Sequence, residues 1–144
     1  MPETTRELKL GVYGISIVDG RVLVIKKARG PYRGQYDLPG GGIEFGESIR
    51  EGLSRELEEE AGVKLLTTDL FDVNDVYNTF EHEGTTYESH HVGIYYLIEV
   101  AGELKTTGDE LDSAGALCVA VAELTEGNTS KIALPVIRKA AGLS

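Results

Sequence analysis

Acidic side chains are concentrated in one short part of the sequence, residues 41–63, which holds seven glutamates and two arginines. Carboxylate oxygens are the ligands that hard divalent cations such as Mg²⁺ prefer. A solvated acidic helix face is the ordinary explanation for such a segment and has to be weighed against a metal site. The spacing of the glutamates decides between the two.

A helix over residues 48–61 is predicted to carry most of these glutamates. Ser48 followed by Glu51 has the spacing of a capping box, and Gly62 stands where a residue with left-handed backbone ends a helix. Apolar residues recur every four positions and predict the buried stripe of this helix: Ile49, Leu53, Leu57 and Ala61.

Three glutamates share one side of this predicted helix. At about 100° per residue, Glu56, Glu59 and Glu60 lie within an arc of roughly 100° beside the apolar stripe. Like charges so close destabilise a helix by roughly a few tenths of a kcal/mol per pair, and the helix dipole disfavours anions near the C-terminus. Stability alone would not select this arrangement, whereas a bound divalent cation would make the three carboxylates its ligands.

A glycine-rich segment, residues 38–42 with the sequence Leu-Pro-Gly-Gly-Gly, comes shortly before the helix. Proline lacks a backbone donor, and glycine adopts conformations closed to other residues. We therefore expect a loop at these residues and not the interior of a helix or strand.

The loop and the helix together resemble the Nudix box. The fixed positions of that motif are all present, in the order Gly41, Glu47, Arg55, Glu56, Leu57, Glu59, Glu60, Gly62 and Val63. The resemblance covers residues 38–63 and implies an α/β fold, the α/β/α sandwich with a mixed β-sheet. It also implies an enzyme that hydrolyses nucleoside diphosphates linked to another moiety, with Mg²⁺ as the cofactor and Mn²⁺ as an alternative.

The same resemblance implies roles for individual residues. Glu56, Glu59 and Glu60 would bind the metal, together with the backbone carbonyl of Gly40. Arg55 would orient these glutamates and is included among the catalytic residues.

Two further roles are less closely fixed. Glu47 would brace the loop against the helix. The catalytic base differs between family members, so Glu59 is the first candidate and Glu110 or Asp109 in a later loop the second. A solvated turn explains Glu110 and Asp109 equally well.

Residues just before the helix are candidates for substrate binding. Lys27 and Arg33 belong to a basic stretch that could meet substrate phosphates, although an exposed hairpin end is the alternative. Tyr36 stands where many relatives carry tryptophan and could form part of the base-binding wall. Gly41 completes this set of candidates.

Composition narrows the class of protein. A chain of 144 residues with 41% hydrophobic content fits one Nudix domain over residues 1–144. The net charge of −10 argues against long nucleic acid as a partner and leaves a small anionic nucleotide. Both a monomer and a homodimer fit these observations.

The remaining features suggest a cytoplasmic protein with no membrane partner. The N-terminus has no signal-peptide pattern, and no apolar run is long enough to cross a bilayer. The single cysteine, Cys118, cannot form an internal disulfide and is predicted to pack in the core.

The other elements are predicted from local patterns. A β-hairpin is expected over residues 10–28 around Asp19-Gly20, and extended segments over residues 63–70, 73–79, 85–100 and 116–121. A C-terminal helix within residues 131–141 should begin near Pro135 or kink there.

The favoured reaction is the hydrolysis of a (deoxy)nucleoside triphosphate to the monophosphate and pyrophosphate. Hydrolysis of a nucleotide sugar or a dinucleoside polyphosphate is the alternative within the family. Relatives acting on ADP-ribose tend to carry a proline where this chain has none, near Asn78, which disfavours that substrate. A non-catalytic Nudix-fold nucleotide sensor is the main rival, but such domains usually lose a glutamate of the box.

Overall fold

The computed structural model describes residues 3–28, 33–106 and 113–143. In chain order, the elements are β1 (Glu3–Ile15), β2 (Ile17–Val18), β3 (Arg21–Lys27), β4 (Tyr36–Asp37), β5 (Gly40–Gly42), α1 (Ile49–Ala61), β6 (Lys64–His82), β7 (Thr85–Ala101), β8 (Ser113–Ala120) and α2 (Ala133–Ala140). A short 3-10 helix, Val121–Glu123, follows β8.

The strands form two sheets. One has the order β5-β1-β7-β6, in which β1 and β7 run parallel and the other neighbours antiparallel. In the other, β2, β4 and β8 each pair antiparallel with β3. The mixed sheet predicted from the sequence is therefore confirmed.

The strands lie between the two helices, because each helix has its own apolar cluster. The cluster under α1, which includes the buried side chains of the helix itself, consists of Val12, Leu23, Ile25, Leu53, Leu57, Ala61, Val63, Leu65, Ile98 and Ala116. Around α2 lie Tyr13, Ile15, Val22, Val24, Leu38, Tyr95, Val119, Val121, Leu124, Ile132, Ala133, Leu134, Val136 and Ile137. Neighbours along β1 and β3 alternate between the two clusters, as expected of strands covered on both faces. This confirms the predicted α/β/α sandwich.

Helix α1 has the predicted ends. The Ser48 hydroxyl accepts a hydrogen bond from the Glu51 amide at 3.1 Å, and the Glu51 carboxylate accepts one from the Ser48 amide at 3.2 Å. Gly62 has a φ of 70° and donates its amide to the carbonyl of Glu58. Leu53 is fully buried, but Ile49, predicted to belong to the stripe, is 40% exposed because the cluster under α1 begins at Leu53.

The predicted hairpin over residues 10–28 is only partly correct. Asp19 and Gly20 have φ angles of 52° and 75° and form the expected tight turn between β2 and β3. Before Ser16, however, the chain belongs to β1, which pairs with β5 and β7 in the other sheet. The predicted break between residues 70 and 73 is also wrong, since β6 is continuous and has a β-bulge at Leu70/Asp72.

Cys118 is exposed, so its predicted place in the core is wrong. The strand β8 lies on the outer side of β3, and only some of its apolar side chains, such as Ala116 and Val119, reach the two clusters.

The C-terminal helix is close to its prediction. Pro135 is the third residue of α2, a position in the first helical turn where its missing N–H leaves no helical hydrogen bond unmade. Within the residues that the structure describes, no helix is long and apolar enough to cross a membrane.

Candidate active site

The glycine loop is held against the centre of the sheet. Tyr13 of β1 pairs with Gly40, and the Gly14 amide donates to the Pro39 carbonyl at 3.1 Å. Gly40 has a φ of 143°, and a Cβ at this residue would clash with the Val12 carbonyl oxygen. Only glycine therefore fits at this position, which sets the loop beside α1.

Glu60 connects α1 to this loop. Its Oε1 accepts a hydrogen bond from the Gly40 amide at 2.8 Å, and the residue is only 2% exposed. Burial, together with the nearby charge of Glu56, raises the pKa of Glu60 to about 9. The ionised form of this carboxyl group is therefore disfavoured unless a positive charge lies beside it.

Arg55 connects the loop to three glutamates. Its Nε and Nη2 donate to the two carboxylate oxygens of Glu47 at 2.8 and 3.0 Å. Nη2 also donates to the Gly42 carbonyl at 3.1 Å, and Nη1 donates to Glu56 at 3.0 Å and to Glu59 at 3.3 Å. Arg55 is therefore placed where it can orient Glu56 and Glu59.

Glu47 is held by hydrogen bonds from Arg55 and the Glu44 amide, and it packs against α1 at Gly52. The hydrogen bonds from Arg55, followed by the one from the Glu44 amide, lower its pKa to about 2. A Cβ at Gly52 would lie 2.9 Å from Glu47 Oε1, so this glycine leaves room for the carboxylate against the helix. The sequence interpretation overlooked Gly52, although a glycine inside a helix costs about 1 kcal/mol and is itself a signal of close packing.

The three predicted metal ligands lie on one side of α1 next to the loop, but their side chains have different partners. Glu60 accepts from Gly40, whereas Glu56 and Glu59 accept from Arg55. Within the described ranges, no three acidic, histidine or cysteine side chains form a ready-made metal cage. The donor set still fits a hard divalent cation, because it consists of oxygens and includes a buried carboxyl group that needs a nearby positive charge to ionise.

Two of the predicted substrate-binding residues lie beside these glutamates. Lys27, at the end of β3, is half-buried, and its charge acts to lower the pKa of both Glu60 and Asp37. Gly41 adjoins Glu56, since a Cβ there would lie 2.9 Å from Glu56 Oε1.

The other candidates are placed differently. Arg33 lies in an exposed turn. Tyr36 packs against the apolar cluster around α2 and bridges to Thr129, so packing accounts for much of its surroundings. Glu110 and Asp109, proposed as alternative bases, lie outside the described residues.

Asp37 is a buried carboxyl group that the sequence interpretation did not single out. It accepts hydrogen bonds from the Leu38 amide at 2.8 Å and from the Ser130 hydroxyl at 3.1 Å, and burial raises its pKa. The Ser130 hydroxyl oxygen in turn accepts a hydrogen bond from the Ala133 amide at the start of α2. The pair ties the glycine loop to α2, but no local pattern predicts a contact between residues 93 positions apart.

A histidine lies on the α2 side of the sheet near Lys27. His91 Nε2 is 2.7 Å from the Tyr13 hydroxyl oxygen, and Tyr13 stacks on Tyr95 with ring centroids 5.6 Å apart. Burial, followed by the charges of Lys9 and Lys27, lowers the pKa of His91 to about 4. The imidazole is therefore neutral at physiological pH.

Comparison with known proteins gives a family match and several relatives. The family model described as NUDIX domain matches residues 7–139. The ADP-ribose pyrophosphatase of Methanocaldococcus jannaschii is 29% identical over 105 residues, which cover 73% of this chain and 59% of that protein. The nucleoside triphosphatase NudI of Escherichia coli is 50% identical over 54 residues, which cover 36% of this chain and 38% of that protein. The chain thus spans less than two thirds of either relative.

A solved structure also resembles this chain along most of its length. The MutT NUDIX hydrolase of Burkholderia pseudomallei has 25% sequence identity and a TM-score of 0.74, with 92% of this chain and 97% of that chain covered. The predicted Nudix fold is therefore confirmed. Since the family model also spans most of its length, the chain belongs to the NUDIX domain family.

Proposed function

We propose that this chain is a magnesium-dependent hydrolase that cuts the diphosphate bond of a nucleoside diphosphate linked to another moiety. The observation that carries the proposal is the hydrogen-bonded unit formed by the glycine loop, Arg55 and the glutamates of the box. This unit costs stability, because it buries Glu60 and clusters like charges on α1. A nucleotide sensor without catalysis has no need for such a cluster.

The residues that would hold Mg²⁺ are Glu56, Glu59, Glu60 and the carbonyl of Gly40. When bound, the ion would offset the negative charge of the substrate phosphates and lower the pKa of the attacking water. Mn²⁺ could take the same oxygen ligands. The cation also explains how an acidic protein, with a net charge of −10, can accept an anionic substrate.

Other steps of the proposed reaction would depend on side chains of this chain, which would position the metal ligands, accept the proton of water and bind the phosphates. Arg55 keeps Glu56 and Glu59 in place through its Nη1. Glu59 is the proposed base, because its side chain is 54% exposed and its bond to Arg55 is the longest that this arginine donates. A base needs this access to reach the proton of a water molecule. Lys27, close to Glu60, would contact substrate phosphates, and Glu110 stays an alternative base.

A (deoxy)nucleoside triphosphate is the first proposed substrate, giving the monophosphate and pyrophosphate. The similarity to NudI, whose name describes a nucleoside triphosphatase, supports this choice. ADP-ribose is the second candidate, because the similarity to an ADP-ribose pyrophosphatase extends over 105 residues. Nucleotide sugars and dinucleoside polyphosphates stay alternatives. A cytoplasmic location stays a prediction from the single cysteine.

A substrate panel tests this function. The purified protein would be incubated with nucleoside and deoxynucleoside triphosphates, ADP-ribose, nucleotide sugars and dinucleoside polyphosphates, with Mg²⁺, Mn²⁺ or EDTA, and the products identified by mass spectrometry. We expect a nucleoside monophosphate and pyrophosphate, and no product with EDTA. AMP and ribose 5-phosphate from ADP-ribose would establish the second candidate. Nucleotide binding by calorimetry without turnover of any compound would refute the hydrolase and favour the sensor.

A further inference from the structure

The last turn of α1 consists of Glu58, Glu59, Glu60 and Ala61. It therefore carries three carboxyl groups and no basic side chain. The helix dipole places partial negative charge at the same end, so this turn is the least stable part of the helix by itself. Two of the proposed metal ligands, Glu59 and Glu60, lie in it. The site therefore needs a contact from outside the helix that keeps the turn in place.

Lys105 supplies such a contact from the segment between β7 and β8. The Ala61 carbonyl accepts a hydrogen bond from the Lys105 amide at 2.7 Å. The Glu59 carbonyl accepts one from Lys105 Nζ at 3.1 Å. The last carbonyl groups of a helix have no partner within the helix, and Lys105 binds two of them. Its ammonium group also brings a positive charge to the negative end of the helix dipole.

Packing fixes Lys105 beside the end of the helix. Its carbonyl accepts a hydrogen bond from the Ala116 amide of β8 at 3.1 Å, and the preceding residue, Leu104, packs against the cluster under α1. A Cβ at Gly62 would lie 3.0 Å from Lys105 Cβ, so the lysine side chain starts directly beside the glycine that ends α1. Strand β8 and the apolar cluster therefore hold Lys105 where its Nζ reaches the Glu59 carbonyl.

The Glu59 carboxylate depends on this turn for its position. Its hydrogen bond from Arg55 is 3.3 Å long, and its side chain is 54% exposed. The Glu60 carboxyl group, by contrast, accepts a 2.8 Å hydrogen bond from the Gly40 amide and is buried. A carboxylate held as weakly as that of Glu59 depends on the main chain from which it extends. Displacing a reacting group by about 1 Å can lower a rate about 10²-fold.

We propose that Lys105 is a positioning residue of the active site, which holds the last turn of α1 and thereby sets where the Glu59 carboxylate lies. The inference rests on the proposed function, in which Glu59 is the base. Lys105 acts through the Glu59 carbonyl and not through a contact with substrate. Loss of its Nζ should therefore lower kcat and leave KM almost unchanged, because the groups that bind the phosphates stay in place.

Steady-state kinetics of a matched pair of variants tests this role, with saturating Mg²⁺ and the substrate that the panel identifies. Lys105→Met keeps most of the side-chain length but removes the donor and the charge. Lys64→Met removes the same charge from an exposed lysine two residues after Gly62. Lys105→Met should lower kcat about tenfold with KM within about twofold of the wild type, and Lys64→Met should match the wild type. Lys105→Arg keeps a donor and the charge and should recover most of the lost rate.

Amide hydrogen exchange, followed by NMR without metal or substrate, gives a readout that does not depend on catalysis. In Lys105→Met, the amides of Ala61 and Gly62 should exchange about tenfold faster than in the wild type, as expected when a hydrogen bond from a charged donor is lost. In Lys64→Met, both amides should exchange at the wild-type rate. Far-UV circular dichroism would establish that the variants are folded, and Lys105→Gln replaces Lys105→Met if the latter does not fold.

Three outcomes would overturn the proposal. One is a wild-type kcat in folded Lys105→Met, and another is an equal loss of kcat in Lys105→Met and Lys64→Met, which would assign the effect to charge alone. The third is a loss of kcat with unchanged exchange at Ala61 and Gly62. If the wild type hydrolyses no compound of the panel, the proposed function fails, and the exchange rates alone decide whether Lys105 holds this turn.

Discussion

The Gly40 amide donates a hydrogen bond to Glu60 Oε1 at 2.8 Å, and this contact joins the glycine loop to the middle of the glutamate cluster. It fixes one oxygen of a buried carboxyl group against Gly40, the residue whose own carbonyl we propose as a metal ligand. The loop and the helix are therefore positioned as one unit, and a change on either side should affect the other.

Gly40→Ala should destabilise the fold by at least about 2 kcal/mol, because alanine adopts the φ of 143° poorly and its Cβ would meet the Val12 carbonyl. Urea unfolding measures the difference. Gly42→Ala is the matched control, since a Cβ at Gly42 has its nearest contact at 4.0 Å. Equal stabilities of the two variants would contradict this account of the loop.

Glu59→Gln should lower kcat by about 10²- to 10⁴-fold and leave the fold intact, because the amide can no longer accept the proton of water. Glu60→Gln should weaken Mn²⁺ binding, measured by calorimetry, because it removes a proposed ligand. Glu58→Gln, an exposed neighbour on the same helix, should behave like the wild type in both assays. If a Glu59→Gln, Glu60→Gln double variant turned over as fast as the wild type, these roles would be wrong.

Arg55→Lys should reduce kcat/KM by about 10- to 100-fold, because lysine keeps the charge but cannot reach Glu47, Glu56 and Gly42 together. Arg50→Lys provides the comparison. Arg50 lies on the same helix and donates to Thr68 and to the Leu66 carbonyl, away from the glutamates. Steady-state kinetics of both variants should show a loss for Arg55→Lys alone, and an equal loss in the two would point to a general effect on the helix.

His91→Gln should change how stability depends on pH. The folded-state pKa of about 4 lies below the ordinary 6.5, so the unfolded chain binds more protons between these values. The neutral His91 makes its full contribution to the free energy of unfolding above about pH 6.5. This contribution is lost as the pH falls towards about 4, and the loss is at most about 3 kcal/mol. Glutamine at this position cannot titrate, so its unfolding free energy should fall less over that window.

Chemical denaturation at several pH values measures this difference. His82→Gln, at the exposed last residue of β6, is the control and should follow the wild type. Parallel curves for the wild type and His91→Gln would show that His91 does not carry this pH dependence.

The sequence by itself determined the elements that depend on near neighbours. The capping box at Ser48, the left-handed Gly62 and the Asp19-Gly20 turn are each made by residues within a few positions of one another. Their backbone hydrogen bonds and φ angles are local, so the sequence contains the necessary information. The spacing of the glutamates on α1 has the same origin and allowed the candidate site to be predicted.

Only the tertiary structure decided which distant residues meet. It paired β1 with β7 and made β6 continuous, it joined Asp37 to Ser130, and it left Cys118 exposed. These outcomes depend on which strand lies beside which, and apolar patterns of similar strands do not specify their partners. Strand β1 is the clearest case, since alternation along a strand predicts two faces but not which helix covers each of them.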